Sequence, residues 1–337
     1  MMLMNPEMLC KYPFLAAAKD YVREHQIGIT SNYLEAGSRR AKDAVEKGEI
    51  ARFVPGGVGS VTEAELASYT ICRMLVSALA NRYYMNRLAV AESKRARAYL
   101  ENEGEAALND VAKDLGINFS AQRGGFLLPI EEFLKNTPRD SHYRLGTRDV
   151  TAGKVAVNAS ERLRIIEEAI RKKIEASLPI TGDMPPEIKQ YANELRKQLP
   201  VQQVESLNIP VENYPPCIKK IIQDLSDSIN VPHTSRWALA VYLTNAGVGT
   251  EDIIKLFKNA PDYNFETTKY QVEHVKSKSY KMPSCATMDS WGICIATCRC
   301  FNPLKFNPRI HGRNIKEYKE EPSGQASTQV TPADNRD

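Results

Sequence analysis

Four cysteines crowd into a short stretch near the C-terminal end of the chain. They are Cys285, Cys294, Cys298 and Cys300, which fall within sixteen residues. Thiolates are ligands of zinc and of iron–sulfur clusters, and in an intracellular chain of this size such crowding favours metal ligation over disulfides. The alternative is that some of these cysteines are buried apolar residues. The sequence therefore predicts a metal site.

The spacing of these cysteines leaves the metal open between zinc and iron–sulfur. Structural zinc sites usually carry paired Cys-x2-Cys knuckles, and neither these nor the ferredoxin runs occur in the sequence. If residues 294–298 are helical, Cys294 and Cys298 share one face at positions i and i+4. Cys300 would then point elsewhere and be the spare thiol.

A second group of residues has the composition of an anion site. His233 and Arg236 stand at the start of an apolar, helix-compatible stretch that ends at Gly247. A helix beginning here directs its free N–H groups, together with these two side chains, at one point, which suits a phosphate. The alternative is an ordinary helix start with a surface arginine.

Residue patterns typical of catalysis are missing. Nucleotidyl transfer needs paired carboxylates that hold two metal ions, and the sequence has no Asp-x-Asp element on a predicted strand. Glu65 belongs instead to a predicted capping box with Thr62. No phosphate-binding Gly-x-x-x-x-Gly-Lys-Ser/Thr loop occurs, since the loop at 56–60 lacks the lysine. We therefore expect a chain that binds and positions, with chemistry performed elsewhere.

Composition sets the wider frame for these sites. The chain has 337 residues, 42% of them hydrophobic and 26% charged, which is enough for two globular domains. A net charge of +4 permits a nucleic-acid partner without requiring one. No apolar run approaches the ~18 residues of a membrane helix, and the N-terminus lacks a secretion signal, so no membrane association and a cytoplasmic location are expected.

The elements of the first 200 residues read as mainly α. One long helix is predicted over 63–101, a small β-containing insert over 117–157 with a turn at Gly153-Lys154, and a helix from Asn158 or Ser160 to about Ser177. The long helix carries a basic stripe, which we interpret as a solvated face; nucleic acid or a partner subunit is the alternative. The stripe comprises Arg82, Arg87, Lys94, Arg95 and Arg97.

Prolines between 179 and 216 predict a domain junction near residue 200. The predicted organisation is an N-terminal helical domain over 1–200 with the α/β insert, and a mostly helical C-terminal domain over 207–317. A disordered tail is predicted over 318–337, because Glu, Ser, Gln and Asp dominate there. Helices are predicted over 187–199, 217–229, 234–246 and 250–258.

Several short blocks resemble the large subunit of archaeal and eukaryotic DNA primase. The C-terminal blocks are Pro215-Pro216-Cys217-Ile218, Ser284-Cys285-Ala286-Thr287-Met288, Gly292-Ile293-Cys294, Cys298 and Asn302-Pro303-Leu304, in that order. Weaker matches, such as Lys11-Tyr12-Pro13-Phe14 and Ala91-Glu92-Ser93-Lys94, extend the resemblance over nearly the whole chain. The resemblance implies one [4Fe–4S] cluster held by Cys217, Cys285, Cys294 and Cys298, with Cys300 as the alternate for the fourth ligand.

The same resemblance implies nucleic-acid-binding residues. His233 and Arg236 match a His-x-x-Arg pattern at the site for the 5′-terminal phosphates of the primer, and Tyr270 and His274 match a Tyr-x-x-x-His block that contacts nucleic acid near the cluster. Stacking of a base on Tyr270 would contribute ~1–3 kcal/mol.

The implied function is that of a regulatory, non-catalytic large subunit. It would form a heterodimer with the catalytic small subunit through residues 1–200 and hold template DNA and the RNA/DNA primer through its iron–sulfur domain, with other replisome proteins as further candidate partners. The alternatives are a zinc- or iron–sulfur-containing nucleic-acid-binding protein without a primase role, and a redox protein. The redox protein is disfavoured because no flavin or nicotinamide fingerprint occurs.

Overall fold

Helices dominate the N-terminal half of the chain. The computed structural model describes residues 5–51, 61–138, 141–199, 211–312 and 316–317. The helices up to residue 199 are α1 (Pro6–Lys11), α2 (Ala16–Glu24), α3 (Ser31–Glu46), α4 (Val61–Ala78), α5 (Arg82–Leu100), α6 (Glu105–Asp114), α7 (Ile130–Asn136), α8 (Ala159–Ala176) and α9 (Pro186–Gln198). This confirms the mainly α prediction.

A small antiparallel sheet interrupts these helices, as predicted for 117–157. Its strands are β1 (Ser120–Gln122), β2 (Gly125–Pro129), β3 (Val150–Thr151) and β4 (Lys154–Val157), in the order β1-β2-β4-β3. Leu128 of β2 lies opposite Val155 of β4, and both are fully buried against α8. The turn between β3 and β4 consists of Ala152 and Gly153, both with positive φ, one residue earlier than predicted.

The predicted helix over 63–101 is two helices, so that prediction is wrong. Ala80 adopts a left-handed conformation with a φ of 52°, which ends the run of α4. Asn81 then caps α5, because its side chain accepts the backbone N–H of Tyr83 at 2.9 Å. Thr62 lies inside α4 rather than before it, so it is not the predicted capping residue.

The C-terminal half is also helical. Its helices are α10 (Pro216–Ser226), α11 (His233–Asn245), α12 (Thr250–Phe257), α13 (Phe265–Lys278), α14 (Cys285–Ser290) and α15 (Pro308–His311), and its strands are β5 (Ala296–Thr297) and β6 (Lys316–Glu317). Residues 294–298 are not helical, so the i, i+4 placement of Cys294 and Cys298 is wrong. No helix in the described ranges is long and apolar enough to cross a membrane.

The two halves have separate apolar cores. The core of the C-terminal half runs from Tyr214 to Ile293, and the core clusters of the N-terminal half stop at Leu199. Polar side chains of α5 nevertheless contact the C-terminal half. The predicted boundary near residue 200 and the predicted tail 318–337 lie outside the described residues.

Candidate metal centre and nucleic-acid interface

The cysteine centre is assembled from the start of α10, the start of α14 and the loop around β5. Pro216 begins α10, where its missing N–H costs nothing, and so places Cys217 in the first turn. Ser284 caps α14 by accepting the N–H of Thr287, which fixes Cys285 as the first helical residue. Gly292, with a φ of 70°, turns the chain back toward Cys294.

The sulfur atoms of these segments meet. Cys300 Sγ lies 3.3 Å from Cys298 Sγ and 3.5 Å from Cys285 Sγ, and Cys294 Sγ donates to the carbonyl of Ala296 at 3.5 Å. Cys217 completes the group, because its thiol is within electrostatic reach of those of Cys285, Cys294 and Cys298. We name these five cysteines the thiol nest. All five thiols are free, and spacing alone would not have selected Cys217.

Burial raises the pKa of four of the five cysteines in the thiol nest. Burial, with a smaller contribution from the neighbouring thiols, raises the pKa of Cys217 to about 12. The pKa values of Cys285, Cys294 and Cys300 are also raised, mainly by burial. Thiolates here would therefore need a cation, which a metal supplies. Within the described ranges, no three Cys, His, Asp or Glu side chains are arranged to hold a single metal ion.

The backbone around Cys300 is held in an uncommon conformation. Arg299 and Phe301, on either side of it, both have positive φ, at 53° and 57°. Non-glycine residues adopt this conformation only where the surroundings enforce it, and such positions cluster at functional sites. The backbone N–H of Cys285 donates to the carbonyl of Phe301 at 2.9 Å, which joins α14 to this loop. Cys298 and Cys300 are buried in the loop, whereas the Phe301 side chain is 81% exposed.

The predicted anion site lies at the N-terminal end of α11. Pro232 precedes the helix and has no side-chain acceptor, so its first N–H groups are uncapped. Arg236 is held in place by its own loop: Nε donates to the carbonyl of Val231 and Nη2 to Asn230 Oδ1, both at 2.7 Å. It also pairs with Asp262 at 2.7 Å. An anion here would meet Arg236 already positioned, but would compete with Asp262.

Tyr270 and His274 reach the same pocket from α13. Their rings stack with centroids 5.9 Å apart, and His274 Nε2 lies 3.3 Å from the Tyr280 hydroxyl. Tyr270 is 68% exposed, so its ring can receive a base. A cavity of about 200 Å³ is lined by all four predicted binding residues, His233, Arg236, Tyr270 and His274. We name this cavity the phosphate pocket, after the ligand that is proposed for it below.

Sequence reasoning missed several residues of this region. Asp262, Thr268 and Gln271 line the cavities at the start of α11, and Asp262 is the counter-ion of Arg236. Asp262 lies in a loop between two helices, where no periodic pattern marks it. Thr268 and Gln271 belong to α13, whose apolar signal is weak because only Val272 and Val275 of that helix are buried.

The basic stripe of α5 is not one solvated face, so that interpretation is wrong for part of it. Arg87 and Arg95 are buried, at 3% and 5% exposure. Arg95 pairs with Glu65, and Arg97 pairs with Glu101 and Glu167. Arg82 and Lys94 are exposed and line a larger groove between the halves.

Comparisons with known proteins show the family of the chain. Residues 208–329 match the family described as the C-terminal domain of the large subunit of eukaryotic and archaeal DNA primase. The DNA primase large subunit PriL of Methanosarcina mazei is 33% identical over 318 residues, covering 88% of this chain and 85% of that protein. PriL of Methanocella arvoryzae is 32% identical over 328 residues, covering 91% and 89%. The chain therefore belongs to the DNA primase large subunit family.

Proposed function

We propose that this chain is the non-catalytic large subunit of a DNA primase. It binds the catalytic small subunit through an N-terminal domain (1–200) and holds template and primer through a C-terminal domain (207–317), in the cytoplasm. The physical advantage is proximity: initiation joins two weakly bound nucleotides, and a second grip on the initiating phosphates lowers the entropic barrier. Sequence similarity to the family over most of the chain supports this role. The phosphate pocket supports it as well, because all four predicted binding residues line that one cavity.

One observation carries the proposal for the metal centre: cysteines from three separate segments meet in one nest, in which Cys217, Cys298 and Cys300 are buried and Cys285 and Cys294 are partly buried. We propose Cys217, Cys285, Cys294 and Cys298 as ligands of one [4Fe–4S] cluster, with Cys300 as the alternate fourth ligand. The donor set fits, because it is all sulfur and because buried thiols with raised pKa values need positive charge. When bound, the cluster supplies that charge and ties the start of α10 to the end of the domain, so its binding contributes to folding.

Cys294→Ser tests this cluster in the full chain, purified without oxygen. We expect the variant to lose iron and visible absorbance and to lower the melting temperature of the C-terminal half, while the N-terminal half stays folded. Cys10→Ser is the matched control, since Cys10 is buried outside the thiol nest. Comparing Cys298→Ser with Cys300→Ser then identifies the fourth ligand. Unchanged iron content in Cys294→Ser, or a colourless wild type that contains one zinc, would contradict the proposal.

Arg236→Ala tests the phosphate pocket. We expect it to weaken binding of a 5′-triphosphorylated primer–template more than binding of the same duplex with a 5′-hydroxyl, by about tenfold, because a charge-assisted contact contributes roughly 1.5–3 kcal/mol. Binding of both duplexes is measured by fluorescence anisotropy. Lys281→Ala, on the basic segment after α13, is the control. Equal losses for the two duplexes would show that Arg236 does not contact the phosphates.

The association with the small subunit is tested directly. Co-expression with the catalytic subunit of the same organism should give a heterodimer that makes primers, and omission of this chain should lower the yield of new primers. Residues 1–200 should suffice for the complex but not for initiation. Failure of the two chains to co-purify would remove the proposed role.

A further inference from the structure

A groove runs between the two halves of the chain and adjoins the phosphate pocket. Its volume is about 820 Å³. One wall is formed by α5 and α8, and the other by the loop before α11 and the start of α13. His233, Arg236, Thr268 and Gln271 line both the groove and the phosphate pocket. The groove and the pocket are therefore adjacent cavities that share part of their lining.

The groove carries more positive than negative side chains. Six cations line it against three carboxylates: Arg82, Lys94, Arg164, Arg171, Lys172 and Arg236 against Glu168, Glu175 and Asp262. Each carboxylate is already paired, with Arg171 in the case of Glu168 (2.5 Å) and Glu175, and with Arg236 in the case of Asp262. Arg164 is in turn paired with Glu167 at 2.8 Å, and Lys172 lies 3.8 Å from Glu168, so a smaller positive surplus is left for an anion.

Arg82 and Lys94 carry much of that surplus positive charge. Both are exposed on the groove wall, and neither has an ion-pair or hydrogen-bond partner within the part of the chain that the structure describes. They lie twelve residues apart on α5, which at ~1.5 Å per residue separates them by ~18 Å along the helix. A compact anion cannot reach both, so the pair suits an extended chain of charges.

The polarity of the groove favours a single nucleic-acid strand. A single strand leaves the edges of its bases open, whereas a duplex shows them only within its own grooves. Amides and hydroxyls line the protein groove beside the cations: Asn86, Asn230, Asn264, Thr267, Thr268 and Gln271. Such groups bind phosphates, sugars and base edges, whereas an acidic peptide would need only the cations.

We propose that this groove binds single-stranded nucleic acid, with Arg82 and Lys94 contacting its phosphates, and leads the strand to the phosphate pocket. The inference rests on the proposed function and adds a route for the strand that includes the N-terminal half. It assigns a role in binding the strand to α5, which belongs to the N-terminal half and is therefore missing from the C-terminal domain alone.

The double variant R82A/K94A in the full chain tests the route. Binding of a fluorescent twelve-nucleotide oligo-dT is measured by anisotropy from 50 to 400 mM NaCl. Loss of two phosphate contacts should make the slope of log K against log[salt] less steep by about 1.4. If the variant and the wild type bind equally at 1 M salt, this change weakens binding by the variant about 25-fold at 0.1 M. The charge-matched control K19A/K113A removes two exposed lysines outside the groove and should keep the wild-type slope.

The outcomes separate this inference from the proposed function. An unchanged slope in R82A/K94A overturns the groove as a strand site, even if Arg236→Ala still abolishes the preference for a 5′-triphosphate. Loss of slope in both R82A/K94A and K19A/K113A overturns it too, because the effect is then general charge. A polyglutamate peptide that displaces oligo-dT at equal charge, with the same dependence on Arg82 and Lys94, identifies an acidic protein as the ligand instead.

Discussion

Buried charges join three helices of the N-terminal half. Arg40 of α3 donates to Glu92 of α5 at 2.7 Å and to Glu65 of α4 at 2.5 Å, and Arg95 of α5 pairs with Glu65 at 2.8 Å. Arg40, Glu92 and Arg95 are almost completely buried. Charges at such positions are tolerated only when each has its partner, so removing one leaves the others uncompensated.

Glu65→Gln should reduce the dependence of the free energy of unfolding on pH in the acidic range. Burial alone would raise the pKa of Glu65, but Arg40 and Arg95 outweigh it and lower the pKa below the ordinary 4.5. The folded chain therefore releases this proton more readily than the unfolded chain. The resulting stability is present above the unfolded pKa and is lost as the pH falls through the folded one.

The measurement is urea unfolding between pH 3 and pH 7. Glu65→Gln should cost about 3 kcal/mol near neutral pH, as for loss of one partner of a buried pair, and less at low pH. Glu35→Gln, on the exposed side of α3, is the matched control and should follow the wild type. A cost for Glu65→Gln that is the same at every pH would contradict the charge network.

At the scale of elements, residue patterns in the sequence predict those helices and strands that local interactions determine. The helix after Asn158 follows from apolar residues on one face, and the small β-containing insert follows from a short apolar run and a turn signal; both are present. The break between α4 and α5 was not predictable, because Ala80 gives no sign of a left-handed conformation. α13 was missed because it buries few apolar residues. The thiol nest depends on the tertiary path of the chain, so spacing found the four crowded cysteines and only the family resemblance added Cys217.

The start of α8 decides between two residues that the sequence left open. Asn158 accepts the N–H of Glu161 at 2.9 Å, and Glu161 accepts the N–H of Asn158 at 2.9 Å, which forms a capping box. Asn158→Ala should therefore lower the free energy of unfolding by about 1 kcal/mol. Ser160→Ala, inside the first turn and exposed, should be neutral or slightly stabilising. Equal effects in thermal unfolding would show that Asn158 is not the cap.

At the scale of the molecule, α5 holds the halves together by a few polar contacts rather than by a shared core. Asn86 donates to the carbonyl of Ser228 at 2.6 Å. Arg87 donates to the carbonyls of Pro261 and Tyr263, both at 3.1 Å, and to that of Val45 at 3.0 Å. Small polar interfaces between domains permit relative motion, so we expect this joint to open and close.

Arg87→Met should favour the open arrangement, because it keeps the aliphatic length of the side chain and removes every donor. We expect a larger radius of gyration by small-angle X-ray scattering and faster amide exchange at 228–232 and 260–264, with the helical content unchanged. Arg23→Met, at a position whose side chain is 79% exposed, is the control. Identical scattering from Arg87→Met and the wild type would mean that other contacts hold the halves.

Every acceptor of Arg87 in the C-terminal half is a main-chain oxygen. These contacts therefore depend on the backbone path of the loop at 261–263 and not on the side chains of that loop. A substitution at position 261 or 263 preserves these contacts as long as the loop keeps its backbone path. A lysine at position 87 would not preserve them, because it carries a single terminal nitrogen and cannot donate to carbonyl groups of both halves as the guanidinium group does.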